Sequence, residues 1–364
     1  MGSVLNFVFP DTPELKQGPI TNYIQSNYPY TDHFELHDGS KNIIVIEIVG
    51  DSEHNPHFLN VIEYLKEKQC KVLLCYIADP VNDIKLKRIK GLLDGVDYTI
   101  LSSTPSSKEF NVIYFDYFLE ESTWSMYGHF FNQNINDLGY VSEDVNVDEI
   151  DVFRPYKFLS FNRNISKPHR FNLLHLYLSE LKNESLFSFL FFEGEVPPTY
   201  VESDYVDNWK TKIPLQLDTI GEYQGFKTSD TFKKELFLST CINIVTETSF
   251  DENELFISEK ILKPMLMYQP FIILGPIGYL KKLKSYGFKT FSDFWDESYD
   301  DIENHIKRYK KVRELILSLN EMSIEEMNEL YQKTKEICIF NRQLHQSMYI
   351  NSIPKILERI ENEW

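Results

Sequence analysis

Cations are scarce in this chain. Its 364 residues hold 37 lysines and arginines against 55 aspartates and glutamates, a formal charge of −18. A general nucleic-acid or anionic-membrane binder leans the other way. A protein this negative that binds a nucleotide must gather its few cations at the phosphates. Cysteine is scarce too. Cys70, Cys75, Cys241 and Cys338 are scattered, with no CxxC pair and no Cys/His metal spacing. Zinc is therefore not expected, and a reducing compartment is. There is no run of 18 apolar residues to span a membrane. The first ten residues have neither the basic region nor the apolar core of a signal peptide. Asn6 stands where myristoylation needs Ser or Thr. A soluble, cytoplasmic protein is the expectation. Two phosphate-binding signatures are also missing. Without GxGxxG, a nicotinamide dehydrogenase or a Rossmann-type epimerase is disfavoured; without GxxxxGK[ST], so are kinases and ATPases.

What is present is apolar and periodic. Hydrophobic residues make up 42% and aromatics 15%, which excludes a disordered chain. The length suffices for two domains with separate cores. Strands are expected at residues 4–9, Asn42 to Val49, Lys71 to Ile77, Tyr98 to Leu101 and Val112 to Phe118. Helices are expected at Ile20 to Ser26, His57 to Lys68 and Asp83 to Leu93. Residues 134–155 are acid-rich and poor in large apolar side chains, which suits a linker. A second series follows: strand Lys157 to Asn162, a helix capped by Ser166 and running to Leu181, strand Leu186 to Phe192, helix Thr231 to Ser239, strand Cys241 to Thr246. Helices are expected again at Gly278 to Tyr286, 301–319 and 323–360. Alternating strands and helices predict an α/β chain with parallel sheets. The arrangement it suggests is two Rossmann-like domains facing a cleft, the GT-B architecture of glycosyltransferases. The domains are 1–150 and 151–320, and C-terminal helices 321–364 brace both.

Two stretches carry chemistry. In Phe158-Leu-Ser-Phe-Asn-Arg-Asn-Ile-Ser-Lys-Pro-His-Arg170 a strand exits into a loop with Arg163 and Lys167, then into a helix whose first turn holds His169 and Arg170. Cations and free helix amides at one spot suit a pyrophosphate. The alternative is that Arg163 and Arg170 pair with acids such as Asp151 or Glu180. The second stretch, Phe256 to Pro276, contains Ile257-Ser-Glu-Lys-Ile261 and then Gln269-Pro-Phe-Ile-Ile-Leu-Gly275. Ser258 suits an N-cap, Glu259 suits the positive end of a helix, and Phe271 to Leu274 suits a buried strand. Pro264 either kinks this helix or sits in the first turn of one that restarts there. A carboxylate there accepts from both ribose hydroxyls while the ammonium of Lys260 meets a diphosphate. The bland alternative is a surface ion pair between Glu259 and Lys263, worth about 0.3–0.5 kcal/mol.

The Ile-Ser-Glu-Lys-Ile…Gln-Pro-Phe-Ile-Ile-Leu-Gly pattern resembles the donor-site motif of α-1,3-fucosyltransferases. Phe-Asn-Arg-Asn…His-Arg together with residues 287–300 resembles uncharacterised bacterial and phage proteins related to that clan. The resemblance covers about residues 155–310. It implies a GT-B fold, a nucleotide-sugar donor as co-substrate, no cofactor, no essential metal, and inversion at the sugar carbon. By that resemblance Glu259 holds the ribose and Lys260 the diphosphate. Ser258, Arg163, Lys167 and Arg170 complete the candidate donor site. Transfer needs a general base for the acceptor hydroxyl. Asp51 and Glu53 are the candidates, with His54 and Asp79 nearby at strand ends. The acceptor is a hydroxyl-bearing molecule, a glycan in preference to DNA. A phage-type transferase acting on a hydroxymethylated DNA base remains open through Lys85-Leu-Lys-Arg-Ile-Lys90, as does a non-catalytic nucleotide- or glycan-binding module. Asp204-Tyr-Val-Asp207 is the sole hint of a metal-dependent GT-A site, and it is a DxxD, not a DxD. Asp300 and Asp301 read as a solvated face, and Phe288, Phe291, Phe294 and Trp295 as loop packing.

Overall fold

The computed structural model describes residues 5–9, 30–32, 41–47, 59, 61–63, 66, 71–76, 83–102, 112–114, 145–162, 164–189, 196–213, 215, 217, 234–251, 255–258 and 260–363. By contact the chain groups into two units, Met1–Ser125 with Tyr349–Trp364, and Met126–Met348. The expected helix at residues 20–26 lies outside the described residues.

The first unit holds a sheet of order β2-β1-β3-β4-β5-β6. Its strands are β1 (Leu5–Phe9), β2 (Tyr30–Asp32), β3 (Lys41–Glu47), β4 (Lys71–Tyr76), β5 (Asp97–Ser102) and β6 (Val112–Tyr114). All pairings are parallel. Runs such as Ile43-Ile-Val-Ile46 and Val72-Leu-Leu-Cys75 are apolar throughout because parallel strands are covered on both faces. Ile44, Ile46, Val72, Leu74 and Ile100 form the core with Val61, Ile62 and the inner face of α1 (Asp83–Leu92), where Leu86 and Ile89 are buried. The basic side chains of α1 at Lys87, Arg88 and Lys90 are exposed, on the face opposite that core.

The second unit holds a parallel sheet of order β10-β9-β7-β8. Its strands are β7 (Tyr156–Asn162), β8 (Ser185–Phe189), β9 (Thr240–Thr246) and β10 (Phe271–Leu274). Every residue of β9 and β10 is buried. Helix α2 (Pro168–Leu176) follows β7 and continues as a π turn, Tyr177–Leu181. The expected inward residues Phe171, Leu174, Leu178 and Leu181 are all buried. Ser166 is not the cap. Lys167 holds that position because Pro168, with its fixed φ and no amide hydrogen, occupies the first turn. Further α-helices among the described residues are α3 (Lys234–Leu238), α4 (Leu262–Leu266), α5 (Tyr279–Ser285), α6 (His305–Asn320) and α7 (Ile324–Glu363), whose residues from Tyr349 group with the first unit. Phe291 stands edge-on to Phe271 of β10 at 5.0 Å and stacks on Trp295, so this aromatic group does pack a loop on the sheet. Among the described residues no helix is long and apolar enough to cross a membrane.

Candidate functional site

The second sheet turns from one winding direction to the other at β7. From β7 the chain passes through α2 to β8 on one side, whereas β9 lies on the other side. In open parallel sheets, ligands bind beyond the carboxyl ends of the strands at such a switch point. Buried polar side chains mark that place. Thr246 Oγ1 donates to Asn162 Oδ1 at 2.7 Å, Asn162 Nδ2 donates to Ser160 Oγ at 3.0 Å, and Ser160 Oγ donates to the Ile244 carbonyl at 2.7 Å. Satisfied polar groups in a core lock neighbouring strand ends to each other.

Glu247, the first residue after β9, is the centre of the arrangement and has 0% of its surface exposed. Its amide continues the ladder to the Leu274 carbonyl at 2.9 Å. Its carboxylate takes three donors. Oε1 accepts from the Tyr279 hydroxyl and, at 3.3 Å, from the Ser258 amide, and Oε2 accepts from the Ser258 hydroxyl. The Ser258 oxygen in turn accepts from Lys260 Nζ at 3.1 Å and from the Lys260 amide at 3.4 Å. A buried carboxylate is tolerable only when its lone pairs are met in this way. The turn at Gly275 fits around the group. A Cβ there would stand 2.9 Å from Ile273 Cγ2, 3.1 Å from Tyr279 Cδ2 and 3.5 Å from Glu247 Cγ.

The backbone carbonyl of Glu247 ties in the start of α2. It accepts from His169 Nε2 at 2.9 Å and Arg170 Nη2 at 3.0 Å, and Arg170 Nη2 also reaches the Thr246 carbonyl at 3.1 Å. A carbonyl only accepts, so His169 carries its proton on Nε2. Burial, and then the Arg170 guanidinium, push the His169 pKa well below its ordinary value, so the ring is neutral and Nδ1 bears a lone pair. That atom is buried and has no hydrogen-bond partner among the described residues. His169 stacks on Phe250 at 4.8 Å, and Arg308 covers the Phe250 ring at 4.7 Å.

Of the residues singled out from sequence, Ser258, Lys260 and Arg170 are therefore joined through Glu247. Lys167 is the half-buried N-cap of α2, close enough for its charge to bear on His169. Arg163, Glu259, Asp51 and Glu53 lie outside the described residues, as do His54 and Asp79. Ser258 does not cap a helix. Its hydroxyl is taken by Glu247, and α4 starts later, with Ile261 as N-cap and Pro264 in its first turn. Lys263 is buried, its ammonium 5.3 Å from the Phe161 ring centroid, so it is no surface cation.

Asp204 of the DxxD pattern is buried in a bidentate pair with Arg313, whose Nε stands 2.6 Å from Oδ2. That carboxylate is committed to a guanidinium. Among the described residues no group of three or more His, Cys, Asp and Glu gathers as for a metal ion. Asp300 is not solvated either: its oxygens accept from the Leu280 and Lys281 amides at 2.9 and 3.0 Å and cap α5. Glu247 is the residue that sequence reasoning passed over. Its one signal is an acid directly after the expected strand Cys241 to Thr246.

No protein-family profile matches the chain. Neither does any curated protein. Among solved structures it is similar to the N-terminal domain of trehalose-6-phosphate phosphatase from Candida albicans, with 12% identity, a TM-score of 0.36, and coverage of 92% of this chain and 72% of the other. It is also similar to an α1,3-fucosyltransferase, with 11% identity, a TM-score of 0.36, and coverage of 91% and 90%. At that identity and TM-score neither neighbour carries a function over to this chain.

Proposed function

We propose that the second unit binds the diphosphate of a nucleotide sugar beyond the ends of β7 and β9, and that the chain is an inverting glycosyltransferase that needs no metal ion. One observation carries this reading. The two stretches that concentrate cations meet at Glu247, Lys260 through the Ser258 hydroxyl and the start of α2 through the Glu247 carbonyl. A departing nucleoside diphosphate needs positive charge and oriented donors where its own charge develops. Lys260 supplies an ammonium, and the N-terminus of α2 adds its partial positive charge with Lys167 at its cap. Arg170 contributes differently. With its Nη2 on two carbonyls, it holds the end of β9 against α2. Arg163 and Glu259 are assigned to the diphosphate and the ribose by their places in the two stretches. Asp51 or Glu53 is assigned as the base that takes the acceptor proton.

The test is a thermal-shift screen against GDP, UDP, dTDP and CMP sugars in EDTA, followed by measurement of nucleotide release with glycan acceptors. One nucleotide class should raise the unfolding midpoint, and Lys260→Ala should remove most of that shift. If no donor shifts the midpoint, the reading is wrong. A shift without release from any donor would leave a binding module and no enzyme.

A further inference from the structure

We propose that Glu247 is the positioning residue of the diphosphate site, setting the Lys260 ammonium through the Ser258 hydroxyl. This rests on the donor-site reading above. The Ser258 hydroxyl has a single proton. Because that proton goes to Glu247 Oε2, the oxygen's lone pairs face Lys260, whose Nζ stands at 3.1 Å and amide at 3.4 Å. The order of donation is thereby fixed: ammonium to hydroxyl, hydroxyl to carboxylate. The carboxylate cannot swing away, because the Tyr279 hydroxyl and the Ser258 amide hold Oε1. Its backbone carbonyl meanwhile holds His169 and Arg170 at the start of α2. A single residue thus keeps both cation-bearing stretches in one register.

A filler at this position would need no charge. A glutamine has the same shape, and its carbonyl oxygen can accept from Tyr279 and the Ser258 amide. Its NH2 group, however, would donate to Ser258 Oγ and reverse the order of donation. Lys260 would then compete with that amide for the same oxygen. Glu247→Gln therefore separates the two roles: a structural role survives it and a positioning role does not.

The experiment is a double-mutant cycle on the full chain. Affinities for GDP, UDP and dTDP are measured by calorimetric titration for the unaltered chain, Glu247→Gln, Lys260→Ala and the double variant. Replacing the charge-assisted bond by a neutral one is expected to weaken binding by about tenfold, with Glu247→Gln still folded. In the Lys260→Ala background the same substitution should cost less than about twofold, since it acts through the missing ammonium. Additive losses would overturn the inference and leave the donor-site reading intact. Should Glu247→Gln fail to fold, Ser258→Ala takes its place in the cycle with the same expectation, and additivity there overturns the inference equally. Absence of any nucleotide binding by the unaltered chain overturns both.

Discussion

Removing one hydroxyl at Tyr279 measures how tightly Glu247 is held. Tyr279→Phe leaves the ring, which is 1% exposed, and deletes the hydroxyl that donates to Glu247 Oε1. A hydrogen bond to a charged acceptor contributes about 1.5–3 kcal/mol. Oε1 keeps the Ser258 amide at 3.3 Å, so the loss falls in the lower half of that range. About 2 kcal/mol is the expectation, or a fall in unfolding midpoint of about 4–8 °C for a unit of this size. Tyr309→Phe is the matched control. Its hydroxyl is buried too but has no hydrogen-bond partner among the described residues, so its removal relieves an unmet donor and should be neutral or stabilising. Guanidinium unfolding at constant m-value reads both. Equal effects for the two variants, or less than about 0.5 kcal/mol for Tyr279→Phe, would refute the described hold on Glu247.

Other outcomes follow from the same geometry. Gly275→Ala places a methyl 2.9 Å from Ile273 Cγ2 and should destabilise by about 1–3 kcal/mol in the same unfolding assay. Asp204→Asn should lower stability with no change in the response to magnesium or manganese, because the carboxylate serves Arg313; a loss of metal-dependent activity would contradict this. Burial lowers the His175 pKa to about 4, while Asp204 opposes the shift. Between about 6.5 and 4 the unfolded chain binds a proton there that the folded one does not, so stability falls as pH drops through that window. His175→Asn, which keeps an acceptor for the Val206 amide, should flatten that fall; an unchanged slope in acid-titrated unfolding would count against it. If DNA is the acceptor, through the exposed Lys87, Arg88 and Lys90 of α1, activity should collapse steeply with salt; a flat response favours a glycan.

Much of the fold was legible because parallel strands buried on both faces leave uninterrupted apolar runs. Ile43 to Ile46, Val72 to Cys75 and Phe271 to Leu274 stand out for that reason. β2 did not stand out, since Tyr30-Thr-Asp32 is three residues long and ends in an acid. Helix starts were less legible. Ser166 and Ser258 both have the chemistry of a cap, but a proline at the first turn decides one case and a buried carboxylate claims the other hydroxyl. Long-range pairing was invisible. Nothing local in Asp204-Tyr-Val-Asp207 points to Arg313, and nothing in Thr246-Glu-Thr-Ser249 shows that Glu247 joins Ser258, Tyr279, His169 and Arg170. The cation-bearing stretches could be found one at a time, whereas the residue that unites them is defined only by the sheet's winding.

Recognition of a diphosphate by the chain's own cations underlies the proposed transfer. Calorimetric titration of matched nucleoside mono- and diphosphates in EDTA, on the unaltered chain and on Lys260→Ala, tests it most directly. The diphosphate should bind at least about tenfold tighter than the monophosphate, equal to about 1.4 kcal/mol, and most of that advantage should vanish in Lys260→Ala. Equal affinities for the two nucleotides, or an advantage untouched by the substitution, would contradict it.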